Sequence, residues 1–275
     1  MIHSDSQKMK ENAPSIVIDD GYLHYLNSKQ PVLDKLNMHI PCSKWTCILG
    51  QSGCGKTTLL RYLAGIINEQ VVWNGDLSIS NQIPLQGQVA YMAQQDLLMP
   101  WLSVLENVLL SDKFSQRSRQ KNKQQKQQQV EKATYLLQQV GLADKAQQRP
   151  QNLSGGMRQR VALARTLMQD KPVVLMDEPF SALDAVTRHK LQNLAHQLLK
   201  DKTVILITHE PQEAIRLADQ LYILQGQPAS AKVLTLPDTV APRAFSEETA
   251  LLQQNIIESL EQSDIQPNNP EKIHG

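Results

Sequence analysis

The stretch Gly50-Gln51-Ser52-Gly53-Cys54-Gly55-Lys56-Thr57 fits the pattern G-x-x-x-x-G-K-[ST]. Glycine there lets backbone N–H groups curl round a phosphate with no Cβ in the way. A helix opening at the loop would add its positive dipole end. Lys56 is then expected to reach the β- and γ-phosphates of a nucleotide, and Thr57 to offer a hydroxyl to Mg²⁺. Asp177 and Glu178 close the apolar run Val173-Val174-Leu175-Met176. Adjacent acids at a strand end point to opposite sides and can do separate jobs. Asp177 suits a Mg²⁺ shell through water, and Glu178 suits a general base that polarises an attacking water. Alone, the pair would read as a polar strand end; beside a phosphate loop the catalytic reading prevails.

His209 follows the apolar run Thr203–Ile207. A lone histidine is most often structural. Ligands of open α/β sheets bind beyond the carboxyl ends of strands, however, which makes His209 a candidate γ-phosphate contact. Gln94, just past Val89–Met92, is a candidate to hold Mg²⁺ or the attacking water. Ser154-Gly155-Gly156 heads a second helix, where a serine cap leaves backbone amides exposed. That is a further anion site in a chain with one P-loop lysine, which makes sense if two copies complete each other's sites. The plainer alternative is a tight loop before an ordinary helix.

The elements that must carry these residues can be read from pattern. Ile16–Ile18, Tyr22–Leu26, Thr46–Leu49, Val89–Met92, Val173–Met176 and Thr203–Ile207 read as strands. Asn74-Gly75 between two apolar triplets signals a two-residue hairpin. Helices are expected over Thr57–Gly65, along Val130–Val140 until Gly141, from Val186 to Leu199, and from Pro211 to Ala218. Pro172 marks the boundary before one strand. Alternation after Lys171 implies a mainly parallel sheet covered by helices. The fold class is therefore α/β: a P-loop core with a mainly parallel sheet, an N-terminal antiparallel β region and an inserted α-helical subdomain. Residues 1–14 read as a flexible leader, and the tail from Pro267 as frayed. The Gln/Lys-rich stretch 120–129 reads as a solvated face, with a basic contact for an acidic partner as the alternative.

Composition bounds the rest. The 275 residues are 41% apolar with net charge +1, so no global field recruits nucleic acid or a membrane. No apolar run approaches the roughly 18 residues that cross a bilayer, and Met1–Lys10 lacks a secretory signal's apolar stretch. Cys42, Cys47 and Cys54 are odd in number and lack metal-site spacing, which argues for a reducing cytoplasm.

With these residues in family order, the chain resembles the ATP-binding subunit of an ABC transporter over residues 15 to 225. Walker A is Gly50–Thr57, the Q-loop residue Gln94, the signature Leu153–Gln159, and Walker B Val173–Asp177 followed by Glu178. The D-loop is Ser181-Ala182-Leu183-Asp184 and the H-loop histidine is His209. The resemblance implies ATP and Mg²⁺ as cofactors. Its implied nucleotide contacts are Tyr25 as the adenine-stacking aromatic, with Tyr22 competing, then Gly50, Gln51, Ser52, Gly53, Cys54, Gly55, Lys56, Thr57 and Thr58. Ser154, Gly155 and Gly156 complete the set. Implied metal residues are Thr57, Gln94 and Asp177, and implied catalytic residues Glu178, His209 and Gln94.

The same resemblance places an ATP-binding domain at 15–228, with its helical subdomain at about 95–165. A short extension at 229–275 carries one helix near Glu247–Leu260. The implied partners are a second copy of the chain, multi-spanning permease subunits and, indirectly, a solute-binding protein, with no nucleic acid. The implied location is the cytoplasmic face of the inner membrane, reached through the permease. Leu97-Leu98-Met99-Pro100-Trp101 and Asp177-Glu178-Pro179-Phe180 look most like importers of nitrate, sulfonates or taurine, or the pyrimidine precursor of thiamine. Gln51 departs from the proline frequent at its position in that branch. A soluble, non-transport ABC-type ATPase is the alternative. No sustained heptads of a repair enzyme lie between the P-loop and the signature.

Overall fold

A computed structural model of the chain describes residues 13–111 and 122–264. Alternating apolar and polar residues make β1 (Ile16–Tyr25) and β2 (Pro31–Ile40) an antiparallel pair with one buried face. The next run, β3 (Trp45–Gly50), is buried along its whole length. It feeds the glycine loop and α1 (Lys56–Leu63). Then come β4 (Val71–Ile79) and β5 (Val89–Met92). Between β5 and the next strand the described residues hold only helices and turns. These are α2 (Val104–Val108), α3 (Lys123–Gln139), two 3₁₀ turns and α4 (Gly155–Met168). The order then alternates: β6 (Val173–Asp177), α5 (Ala185–Leu198), β7 (Thr203–Ile207), α6 (Pro211–Leu217), β8 (Gln220–Gln225), β9 (Ser230–Leu234) and α7 (Glu247–Asp264).

The strands form a three-stranded sheet, β2-β1-β4, and a six-stranded sheet, β5-β6-β7-β3-β8-β9. The larger sheet is parallel except for β9, which pairs antiparallel with β8. The fold is the expected α/β class. Successive side chains of a strand leave opposite faces. Cys47, Leu49, Val174, Met176, Val204 and Leu206 therefore enter one core with α2 to α7, while Ile48, Val173, Leu175, Ile205 and Ile207 enter another with α1 and the three-stranded sheet. Burial on both faces is what makes β3, β6 and β7 unbroken apolar runs.

Helix starts are chemically explicit. Ser103 and Glu106 form a capping box on α2, and Asn122 and Gln125 form another on α3. Ser154 caps α4 by accepting from Met157 N, Asp184 caps α5 by accepting from Thr187 N, and Pro211 opens α6. Residues 122–129 of the Gln/Lys-rich stretch lie in or at the start of α3, with 122–128 exposed and Gln129 half-buried, while 120–121 and the tail from Pro267 lie outside the described residues.

Some expectations are corrected. Asn74-Gly75 does not turn the chain; β4 runs through it, paired with β1 from Ile16↔Ile79 to Tyr25↔Val71. Asp20 and Gly21 of β1 oppose the single residue Gly75, so Gly75 (φ +98°) sits at a bulge and not in a hairpin. The long ladder with β1 overrides the local turn preference. Within the expected leader, Ala13 is buried and Pro14 O accepts from Thr203 Oγ1 at 2.7 Å, so both are packed. Residues 230–234, assigned to the extension, instead complete the large sheet as β9.

A Cβ on Gly75 would lie 2.4 Å from Asp20 O, whereas one on Gly87 (φ +86°) meets nothing within 4 Å. Gly87→Ala should cost only the left-handed backbone penalty, about 1–2 kcal/mol. Gly75→Ala should cost more, about 2–4 kcal/mol, because a backbone atom must move. Urea midpoints of the two variants compare them directly; equal losses would show that the bulge relaxes freely.

Candidate functional site

The Gly50–Thr57 loop is shaped by two glycines whose places a Cβ could not enter. Gly50 (φ +154°) has Leu224 O of β8 2.4 Å from where a Cβ would stand, and Gly55 (φ +102°) has Val32 Cγ1 at 2.7 Å. Lys56, at the first position of α1, is buried and turns back on the loop. Its Nζ donates to Gly50 O at 2.7 Å and Gln51 O at 2.6 Å. The third ammonium donor lies 3.9 Å from Cys54 Sγ, a weak acceptor that a phosphate oxygen outcompetes. Lys56 thus both braces the loop and faces its concavity. Tyr25, at the end of β1, reaches Thr58 Oγ1 at 3.2 Å, which brings the aromatic to the first turn of α1. Tyr22 instead packs edge-on against His24 at 5.7 Å.

Asp177 and Glu178 divide as their adjacency requires. Asp177 is buried; desolvation pushes its carboxyl up, and the Thr57 hydroxyl that bonds it pulls the other way. Its Oδ2 is buried without a hydrogen-bond partner. An orphaned carboxylate oxygen beside a threonine hydroxyl fits a hard divalent cation. Glu178 occupies the left-handed region (φ +50°), a conformation costly for a non-glycine residue. Its backbone is held on both sides: its N–H donates to Ile207 O at 2.9 Å, and its carbonyl accepts from Gln159 Nε2 at 2.9 Å. Its carboxylate is bracketed by Gln94 Nε2 at 3.1 Å and His209 Nδ1 at 3.1 Å. Gln94, Glu178 and His209, far apart in sequence, are therefore one cluster.

Gly155 and Gly156 differ in role. A Cβ on Gly155 would meet nothing closer than 3.9 Å, leaving its backbone open. A Cβ on Gly156 would lie 2.9 Å from Ala182 O, so this glycine lets the D-loop pack on α4. The hydrogen bonds of Ser154 and its helix head run to α4 itself, and none among the described residues joins them to Gly50–Thr58.

A family model for the ABC transporter matches residues 33–181. The chain belongs to the ABC transporter family. It is that family's ATP-binding, ATP-hydrolysing subunit. An uncharacterized ABC transporter ATP-binding protein of Haemophilus influenzae is 41% identical over 84% of this chain and 93% of its own length. The aliphatic sulfonates import ATP-binding protein SsuB of Delftia acidovorans is 38% identical over 86% of this chain and 92% of its own. Among solved structures, a dimeric ATP-binding cassette in a post-hydrolysis state, bound to ADP and Pi, superposes with a TM-score of 0.65. It is 25% identical, over 84% of this chain and 100% of that one.

Several residues of the ABC ATPase site had no job assigned from sequence. Gln159, the last residue of the signature, is buried and joins three segments. Besides Glu178 O, its Oε1 accepts from Ala182 N at 2.9 Å. Arg158 Nε meets Asp96 Oδ2 at 2.9 Å, and Arg165 donates to Asp96 O at 2.6 Å and Leu97 O at 2.8 Å, so α4 holds the segment after Gln94. Arg188 donates to Glu210 Oε2 at 2.6 Å and Leu183 O at 3.2 Å, tying the D-loop to the residue after His209. The only sequence signal was a polar residue on a helix face otherwise apolar.

Glu213, one helical turn beyond His209, is buried and accepts from Gln192 Nε2 at 2.8 Å. Burial pushes its carboxyl above the ordinary glutamate range, against hydrogen bonds from Thr208 and Gln192. A raised folded-state value means stability is greatest below the unfolded value and is lost as pH rises through the folded one. Glu213→Gln keeps an acceptor for Gln192 and removes the charge. The variant should melt about 2–4 °C above wild type at pH 8, with the gap closing toward pH 4.5. A lower melting point at pH 8 would mean that the ionised carboxylate is a net stabiliser.

Proposed function

We propose that this ATPase powers import of a small solute by closing as a head-to-tail dimer on two ATP molecules. The observation that carries the reading is the Glu178 carboxylate, held at 3.1 Å by Gln94 and at 3.1 Å by His209 beyond the sheet edge that bears the Lys56 loop. ATP lies with its phosphates on the loop amides from Gly50 to Thr58 and its adenine against Tyr25. Lys56 contacts the β- and γ-phosphates. Glu178 takes a proton from the attacking water as the new P–O bond forms and the bond from the γ-phosphorus to the bridging oxygen breaks. His209 donates to the γ-phosphate and holds the general base in place. The Thr57 hydroxyl, the orphaned oxygen of Asp177 and the side-chain oxygen of Gln94 are the groups that would hold Mg²⁺. Bound there, it neutralises phosphate charge.

The open backbone of Gly155 under the Ser154 cap supplies amides for an anion that the same chain's P-loop does not bring. A second copy presenting its own P-loop would bring one, and the similar solved cassette is dimeric. The solute falls in the nitrate, sulfonate or taurine, or thiamine-pyrimidine-precursor class. The name of the Delftia acidovorans relative supports the sulfonate branch within it. Among the described residues no helix is long and apolar enough to cross a membrane. In this reading the ATPase works through multi-spanning permease subunits at the cytoplasmic face of the inner membrane, with a solute-binding protein delivering cargo. The domain proper spans 15 to 234, once β9 is counted with the sheet, and carries its helical subdomain at about 95–165.

Glu178→Gln should keep ATP binding, lower turnover by about 100- to 10,000-fold, and accumulate ATP-bound dimer on a sizing column. A monomeric, active variant would remove Glu178 from the base role. Ser154→Arg should leave nucleotide affinity of the isolated subunit intact while stopping both hydrolysis and dimer formation. Normal turnover would refute the shared site.

A further inference from the structure

The signature, D-loop and H-loop leave one contact of the nucleotide loop unexplained. Gln51 Nε2 donates to the carbonyl of Leu260 at 2.9 Å, a partner 209 residues away in α7. The backbone carbonyl of the same Gln51 accepts from Lys56 Nζ at 2.6 Å. One residue therefore links the phosphate-binding ammonium to the C-terminal helix. The contact does not stand alone. Ile256 of α7 is buried in the core shared with α6, and Leu252 and Leu260 pack against it. Upstream of α7, the buried Arg243 donates to Ile215 O and Ala218 O, and its backbone N–H donates to Arg216 O. The segment after β9 thus grips the helix that follows His209 and, at its far end, touches the phosphate loop.

The electrostatic sense of that touch is unfavourable to a polyanion. Helix carbonyls point toward the C-terminus, which bears about half a negative charge, and the carbonyl that meets the loop lies in the last turns of α7. A basic residue in the last turn would relieve this end. Here the last turn has none, and Glu258 and Glu261 flank Leu260 with exposed carboxylates. A negative helix end is being held at the loop built to receive triphosphate.

The geometry points to α7 as a built-in autoinhibitory arm: docked through Gln51, its negative end lowers affinity for ATP, and ATP binding releases residues 257–261. The inference rests on Gly50–Thr57 being the nucleotide loop. It gives a role to the C-terminal extension and a reason for glutamine at 51.

The test uses the full chain and a fluorescent ATP analogue at about 50 mM and about 500 mM salt. Gln51→Ala and the double change Glu258→Lys with Glu261→Lys should each bind the analogue about 2- to 5-fold more tightly than wild type at low salt. The charge variant's gain should shrink at high salt, where the screening length is only about 4 Å. Hydrogen exchange over residues 256–261 should speed up when a non-hydrolysable ATP analogue binds wild type, and be fast without nucleotide in Gln51→Ala. Unchanged or weaker binding in both variants, or exchange over 256–261 indifferent to nucleotide, would overturn the arm. Lys56→Ala serves as the control: if it still binds the analogue as wild type does, the loop itself is misread and the arm falls with it. Loss of binding in Lys56→Ala with no gain in the other variants sinks the arm alone.

Discussion

Parallel pairing of β6, β7 and β3 is the constraint on which the site depends. Ile207 is in register with Asp177 on one side and with Ile48 on the other, so one row crosses all three strands. Beyond that row the strands deliver Gly50, Thr208 and Glu178 to the same sheet edge. Met92 is in register with Met176, which puts Gln94 and Glu178 each two residues past a matched pair. Their 3.1 Å hydrogen bond follows from register. Because a strand alternates faces with period two, a slip of one residue would send Asp177 to the wrong side and exchange the two cores. Full burial of these strands prohibits the slip, so the apolar runs that look least functional fix the chemistry.

Glu178 shows what that rigidity is used for. A glutamate in the left-handed region is held against its own preference, and such strain persists only when surroundings over-determine it. Ile207 O, Gln159 and Ser181 fasten its backbone. Gln159 belongs to the signature helix and Ser181 to the D-loop, so Glu178 cannot turn without disturbing the segments proposed to meet a second subunit. Arg188 extends the linkage to Glu210, beside His209. The Glu178 carboxylate, proposed as the general base, is thereby positioned by residues from both halves of the chain.

Much of this was legible in the sequence, for definable reasons. The strands β3, β6 and β7 announce themselves as unbroken apolar runs, and the Gly50–Thr57 loop carries its spacing locally. Local signals also misled. Asn74-Gly75 has strong turn chemistry, yet pairing along the whole of β1 outweighs that local preference. In Ser230–Leu234 the alternation is weak, so β9 was hidden until β8 supplied its partner. The side-chain contacts of Gln159 and Gln51 were not legible because their partners lie elsewhere in the fold, and neither a buried glutamine nor one facing a distant carbonyl has a local pattern.

Helix ends complete the electrostatics. The heads of α1 and α4 present amides at the positive end of a dipole, one under the P-loop and the other under the signature serine. The end of α7 brings the carbonyl of Leu260 to the side chain of Gln51 in the loop before α1. With net charge near zero, no long-range field decides whether a triphosphate stays. On the proposed reading the decision falls to short-range groups: Lys56 and the head of α1 favour the phosphates, and the end of α7 opposes them. Such an opposition can be removed by moving a few residues past a buried Ile256, without disturbing the sheet that aligns Gln94, Glu178 and His209.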